Sequence, residues 1–319
     1  MTAAHARLVA AQVDHWRANA RAVYGARGLL APSRTDGEHG HLFHVHPDWP
    51  FTAWLAGADW LLHPLHEHHL VTGEPLGEVA GWLAEVADFF ADVLTAGGRP
   101  ALVPSYSPET GPYDDTGRAA PVAVNATMDV AAARHALAAG RRGHRRRQVG
   151  RGAAAGLPGG RAWRARRVGV AGQHRRRGPQ ARQPPVSGVA AARDRQGRHP
   201  ELAAAAHRAL TLRGDENRSA HGSLHRALAA ARLRDGDLVA ANLRKILGAD
   251  MFFRSLMSAH NPGRTTYNAD AAHALPAVLI ESLVQSRPGT LRLLPAPLPG
   301  LPAGTRGASP AGAGSPSRS

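Results

Sequence analysis

The side chains best suited to chemistry fall in a few places. Eight histidines occupy two short stretches: His39, His41, His44 and His46, then His63, His66, His68 and His69. His63, His66 and Glu67 lie within helical reach of one another, a donor set of the kind that binds zinc. The HEHHL run nevertheless lacks the His-Glu-x-x-His spacing that puts two ligands one turn apart on a helix face. The adjacent His68 and His69 point to different faces. These histidines are therefore expected to be surface or half-buried side chains, and neither a metal nor another cofactor is expected. The chain has no cysteine, which excludes disulfides, thiolate metal sites and cysteine nucleophiles. Two carboxylates stand in loop-like contexts at the ends of predicted helices: Glu109 in Ser-Pro-Glu-Thr-Gly and Asp270 in Tyr-Asn-Ala-Asp. On its own, Glu109 reads either as an exposed loop acid or as a functional group. Asp270 reads either as the cap of a helix beginning near Ala271 or as a functional group.

The elements that must position these groups emerge once the charge is apportioned. The 319 residues carry a net charge of +15, but residues 141–199 hold 17 of the 39 basic side chains and a single acid, Asp194. That stretch alone carries +16 and leaves the remainder at −1. Arg, Gly, Ala and Pro make up most of it, and its few large apolar residues share no period. Such a composition cannot bury enough surface to offset chain entropy, so 141–199 is expected to be disordered. The Pro/Gly/Ala/Ser-rich, acid-free segment 295–319 is read in the same way. No apolar run approaches the roughly 18 residues needed to span a bilayer, and MTAAHARLVAAQVDHW does not read as a signal peptide.

Elsewhere the apolar residues recur with helical period. Leu76, Val79, Ala80, Leu83, Val86, Ala87, Phe90, Val93 and Leu94 follow the i, i+3, i+4, i+7 spacing of one buried face. Trp54, Leu55, Ala58, Leu61, Leu62 and Leu65 repeat it, with Pro64 expected to kink or end that helix. Thr127 and Asp129 look like a helix start before AAARHALAA. Helical pattern resumes at Pro200-Glu201. Leu224, Leu228, Ala231 and Leu238 are assigned to one helical region, Leu243, Ile246 and Leu247 to the next, and Leu275, Val278, Leu279 and Leu283 to a third face. With almost no period-2 alternation, the fold class is all-α. Four segments result: 1–140, 141–199, 200–294 and 295–319.

Several patches exceed generic helix. AVYGARGLLAPSRTD (22–36), HPDWPFTAWLAGADWLLHPLHEHHLVTGE (46–74), LVPSYSPETG (102–111) and NATMD (125–129) lie on one side of the basic stretch. SLHRALAAARLRDGD (223–237), HNPGRTTYNAD (260–270) and VLIESLVQSRPGTLRLLPA (278–296) lie on the other. In this order and spacing they resemble the catalytic domain of glycoside hydrolase family 95, the inverting α-L-fucosidase type. The resemblance implies an (α/α)6 barrel, here partial and interrupted by 141–199, with 1–140 and 200–294 as two parts of one catalytic domain. It implies Glu109 as the general acid and Asp270 as the carboxylate assisting the attacking water, with Thr35, Asp36, Trp49 and His260 as substrate contacts. An oligosaccharide or polysaccharide would be the substrate, with no cofactor. Inverting glycosidases need two carboxylates roughly 6.5–9.5 Å apart so that water fits between sugar and base. Trp54, Trp60 and Trp82 could stack on a sugar, but their helical spacing favours the core. The Trp49-Pro50 corner is the better contact.

The sequence also departs from the family pattern. An Asn-rich motif expected upstream of residue 22 is not in the chain. The basic stretch stands where a His-Arg-His-x-Ser-His-like motif is expected, and Asp270-Ala271-Ala272-His273 replaces Asp-Gly-Asn-x-Gly. Impaired activity is the expectation. Two other readings follow from the basic stretch. It could be a shifted reading frame of a GC-rich gene, leaving a non-functional remnant. It could also bind RNA or another polyanion non-specifically through Arg141–His199, with Trp163 among arginines available to stack on a base. The electrostatic version predicts RNA retention that weakens steeply from low to moderate salt and disappears when 141–199 is deleted. A binding constant that stays flat with salt rejects it.

Overall fold

The computed structural model describes residues 2–35, 37–43, 50–94, 100–106, 120, 122–143, 200–212, 218–287 and 289–300. The chain divides into two compact units, Met1–Arg176 and Arg177–Ser319. Nearly all of the basic stretch, 144–199, and the segment 301–319 lie outside the described residues, and with them the expectation of disorder there. The described residues are mostly helical, as the periodicity requires.

Unit 1 is built from α1 (Thr2–Ala10), α2 (Val13–Tyr24), α3 (Gly57–Thr72), α4 (Val79–Val93) and α5 (Thr127–Gly143), with a 3₁₀ turn at Phe51–Ala53. Its core gathers Trp16, Leu29, Leu30, Leu55, Leu62, Leu83, Phe89, Phe90 and Leu137, all essentially buried. The spacing read from Leu76 to Leu94 is the buried face of α4, where Val79, Leu83, Val86, Ala87 and Phe90 are enclosed. Trp54 and Trp82 are buried, and Trp60 meets Trp54 edge-to-face at 5.5 Å, so the tryptophans belong to the core. Pro64 does not end α3, which runs on to Thr72. One missing N–H is the only hydrogen bond a proline must forfeit there, and the flanking Leu62 and Leu65 are buried. The tertiary gain outweighs the local loss.

The chain entering and leaving α2 is tied to α4 by charge and by close backbone approach. Arg17 bridges Asp14 and Glu85 at 2.6 and 2.7 Å, and Arg27 grips Asp92 with Nε, Nη2 and its backbone N–H. Pairs this exposed contribute about 0.2–1 kcal/mol each. Gly25 ends α2 at φ 60°, its N–H bonding the Ala20 and Arg21 carbonyls, the left-handed cap that favours glycine. Gly28, at φ 81°, lies so near α4 that a Cβ would come within 2.0 Å of the Glu85 carbonyl oxygen.

Unit 2 contains α6 (Pro200–Leu212), α7 (Ala220–Arg232), α8 (Gly236–Gly248) and α9 (Asp270–Leu283). An antiparallel hairpin follows, β1 (Val284–Arg287) and β2 (Thr290–Leu293), with Val284 opposite Leu293 and Arg287 opposite Thr290. Leu238 belongs to α8, not to the preceding helix as its spacing suggested. Asp235 accepts a hydrogen bond from the Leu238 N–H at 2.9 Å and caps a new helix. A cap of this kind interrupts a pattern that hydrophobicity alone continues. The face expected from Leu275 to Leu283 is only partly enclosed: Val278 is buried, whereas Leu279 and Leu283 are exposed. Arg232 of α7 donates to Glu281 of α9 at 2.5 Å, and Gln285 donates to the Ala231 carbonyl. The packed chain also extends beyond Leu294. Ala296 is buried and its N–H bonds the Ser282 carbonyl at 3.1 Å, so the tail expected from 295 does not begin there.

Gly28 and Gly25 make a matched test. Gly28→Ala forces both an unfavourable φ and a backbone overlap, and is expected to cost about 2–4 kcal/mol in urea denaturation. Gly25→Ala has open space around it and is expected to cost about 1 kcal/mol. Equal losses would mean that the approach of residue 28 to α4 is not tight.

Candidate functional site

In unit 1 the sequence patches converge on one buried carboxylate. Asp129, in the first turn of α5, is fully enclosed. Its Oδ1 accepts the Leu55 N–H at 3.0 Å, and its Oδ2 accepts the Ser105 hydroxyl at 2.6 Å and the Tyr106 N–H at 3.2 Å. The Ala56 N–H adds a further bond. Ser105 Oγ in turn accepts the Ala126 N–H at 3.0 Å. Next to it, Asn125 at φ 58° accepts the Leu102 N–H through its side chain and returns its own N–H to the Leu102 carbonyl. Ser105 and Ala123 exchange backbone hydrogen bonds at 2.9 and 2.7 Å. Burial pushes the Asp129 carboxyl up to about 7, against the four hydrogen bonds that favour its charged form.

Around this carboxylate the loops are fixed at short range. The buried Tyr106 ring meets Phe51 edge-to-face at 5.8 Å, and Trp54 Nε1 donates to Met128 Sδ at 3.1 Å. Tyr24 Oη donates to the Thr52 carbonyl at 3.0 Å. The loop with Thr35 is held by buried Asn19, which donates to the Leu30 and Gly40 carbonyls and accepts the Leu42 N–H. Thr35 spends its hydroxyl locally, donating to the His39 carbonyl at 2.6 Å and accepting the Gly37 N–H. Asp36, Trp49 and Glu109 lie outside the described residues. What the structure does describe is the segment that leads into Ser107-Pro108-Glu109, pinned by Asp129 up to Tyr106.

A second polar group in unit 1 joins α3 to α5. Buried Asp59 and His135 Nδ1 are 2.6 Å apart, and His135 Nε2 lies 3.0 Å from His66 Nδ1 and 3.3 Å from His63 Nδ1. Burial raises the Asp59 carboxyl, while His135 pulls it down. Of the trio read from sequence, His63 Nε2 lies 3.5 Å from Glu67 Oε1, and His63 and His66 share a further neighbour in His135, 69 residues beyond His66. Among the described residues, no group of three or more His, Cys, Asp or Glu is arranged to hold a metal ion. A pocket of about 260 Å³ beside His66 and His69 is otherwise lined by Leu70, Leu76, Ala80, Leu83 and Ala139. Its aliphatic wall offers little to a ligand rich in hydroxyls.

In unit 2, Asp270 is the first residue of α9 and does not serve as its cap. Asn268 Oδ1 accepts the Asp270 N–H at 2.7 Å, and Ser258 Oγ accepts the Ala272 N–H at 2.9 Å. The Asp270 carboxylate faces the start of α7 instead, with Oδ2 3.1 Å from His221 Nδ1 and 3.2 Å from Asn268 Nδ2. His260 comes to the same helix end through its backbone, its carbonyl accepting the Ala220 N–H at 2.8 Å. His225, one turn after His221, lies against it with ring centroids 4.0 Å apart and planes tilted by 58°. Burial, with His221 alongside, pushes the His225 imidazole down to about 3. Sequence reasoning missed Ser105, Asp129, His135, His221 and His225 as site-forming residues. The i, i+4 histidines of α7 were the one local signal among them.

These observations can be set against known proteins. Residues 1–148 match the family model described as the Glycosyl hydrolase family 95 catalytic domain. The N-terminal region is GH95 catalytic-domain-like. The match takes in α1 to α5, including Asp129 and the loops it holds, and brings with it glycoside-hydrolase resemblance and a carbohydrate substrate class. No curated protein matches the chain. Among the described residues, no helix is long and apolar enough to cross a membrane.

The Asp129 cluster gives a test in the GH95-like region. Asp129→Ala strands the Leu55 and Tyr106 N–H groups in the core and is expected to cost about 3–5 kcal/mol. Ser105→Ala is expected to cost about 1–2 kcal/mol, because only one donor and one acceptor are lost. The sign of the pH dependence follows from the raised carboxyl. The folded state holds that proton more tightly than the unfolded chain, whose aspartate titrates near about 4. Its contribution is therefore complete below about 4 and is lost as pH rises through about 7. Relative to Asp129→Asn, the parent chain should lose stability between pH 5 and pH 8. A gap unchanged across that range would contradict the assignment.

Proposed function

We propose that the protein is a glycoside hydrolase of the α-L-fucosidase type, acting on terminal α-L-fucosyl or related α-L-galactosyl linkages with inversion. The match over residues 1–148 carries this reading, and the ordered patches on both sides of the basic stretch extend it. In this reading residues 1–140 and 200–294 are parts of one (α/α)6 catalytic domain. Glu109 donates a proton to the glycosidic oxygen as the bond to the anomeric carbon breaks. Water attacks that carbon from the opposite face and gives its proton to the base side, where Asp270 assists. Thr35, Asp36, Trp49 and His260 contact the sugar.

Two physical features support these roles. The anchoring of Ser105 and Tyr106 by Asp129, and of Leu102 by Asn125, removes freedom from the chain leading towards Glu109, and a general acid needs that restraint because misplacement is costly. The Asp270 carboxylate is half-exposed and not consumed by capping its own helix, so it is accessible to water. Turnover of a fucosyl-oligosaccharide by the purified chain tests the reading, with Glu109→Gln as control. The expected result is slow release of β-configured sugar, reduced about 10²-fold or more in the variant. Equal rates remove Glu109 from the mechanism, and α-configured product removes inversion.

A further inference from the structure

The arrangement around Asp270 contains more than a carboxylate. Asp270 Oδ2 is held from two directions, by Asn268 Nδ2 at 3.2 Å and His221 Nδ1 at 3.1 Å. Among the described residues, Oδ1 makes no protein hydrogen bond, and the side chain as a whole is 49% exposed. One oxygen is fixed and the other is open. That asymmetry orients a base without consuming the atom that would take the proton.

His221 owes its own placement to α7. Ser219 caps that helix by accepting the Gly222 N–H at 3.0 Å, and the His260 carbonyl takes the Ala220 N–H. Both restraints act within two residues of His221. Behind it, the His225 ring lies 4.0 Å away at a 58° tilt. His225 is largely enclosed and neutral across the working pH range, since burial pushes it down to about 3. It therefore limits the directions open to the His221 ring without offering Asp270 a competing cation.

We infer that His221 is a positioning residue for Asp270, holding Oδ2 through Nδ1–H so that Oδ1 is presented to the attacking water. This rests on the reading of Asp270 as the group that assists the water. Nothing in the family match assigns His221, since that match ends at residue 148. The role asks for a donor at the Nδ1 position, close to the reach of an asparagine amide. It requires the tautomer or charge state in which Nδ1 carries hydrogen.

The test has two arms on the full chain. In the first, nitrogen-detected NMR of labelled histidine reads the protonation pattern of the His221 ring. Nδ1 should carry hydrogen in the parent chain, and Asp270→Ala should shift the ring towards the Nε2–H form. An Nε2–H ring that ignores Asp270→Ala overturns the inference whatever the activity. In the second arm, kcat and KM are measured on the fucosyl substrate. His221→Ala should lower kcat about tenfold or more with KM changed by no more than about twofold. His221→Asn should recover most of the loss, which a purely structural role would not predict. Loss of turnover in Asp270→Asn with no effect of His221→Ala sinks the inference alone. If Asp270→Asn leaves turnover unchanged, or the parent chain has none, the base reading falls and the positioning role falls with it.

Discussion

Asp129 is the constraint on which the architecture of the GH95-like region turns. An ionised carboxylate is the one common side chain that accepts several hydrogen bonds and donates none. Here its acceptors serve the amides of Leu55, Ala56 and Tyr106 and the hydroxyl of Ser105. Those groups come from the residues just before α3 and from the strand-like segment before Ser107, where regular secondary structure does not satisfy them. Without Asp129 each would be a buried donor with nothing to donate to, and such groups cost more than an ordinary hydrogen bond returns. Burial resists the charge while the donors favour it, so the carboxyl sits near neutrality in its titration.

Other loops are arranged around that fixed point by the same economy of one polar side chain serving several backbones. Asn19 ties the chain at Leu30, Gly40 and Leu42, and Asn125 closes a reciprocal pair with Leu102. In unit 2, Ser258 and Asn268 take over the amides at the start of α9. This frees Asp270 to face His221. Backbone groups are thus satisfied by Asn19, Asn125 and Asp129 in unit 1 and by Ser258 and Asn268 at the start of α9, where Asp270 is left for a longer-range contact. Buried Asn19, Ser105 and Asp129 are tolerated because each is hydrogen-bonded to its surroundings.

Much of the helical content was legible because α4 and α5 repeat their apolar residues at helical period and α5 opens with an acid. The errors share a physical cause. Of the two outcomes expected at Pro64, a kink or an end, the end is excluded because α3 continues to Thr72 with Leu62 and Leu65 buried. Leu238 was joined to the preceding helix because hydrophobic period carries no mark for the Asp235 cap. The hairpin after Leu283 is only four residues per strand, too short for alternation to register. Asp129 was read as a partner for the helix dipole, which is true locally but omits the bonds reaching back 74 residues to Leu55.

By itself the sequence determined the all-α class, the near-neutral character outside residues 141–199, and the order of the motifs, of which those from 22 to 129 lie within the family match over residues 1–148. These follow from composition, period and spacing, which are properties of the chain read in order. Only the tertiary structure decided which polar groups meet. Asp59 with His135, Asp129 with Ser105, and Asp270 with His221 are separated by 76, 24 and 49 residues. No local rule pairs groups so far apart, because their meeting is set by how apolar faces bury against one another, and hydrogen bonds select among the arrangements that burial allows.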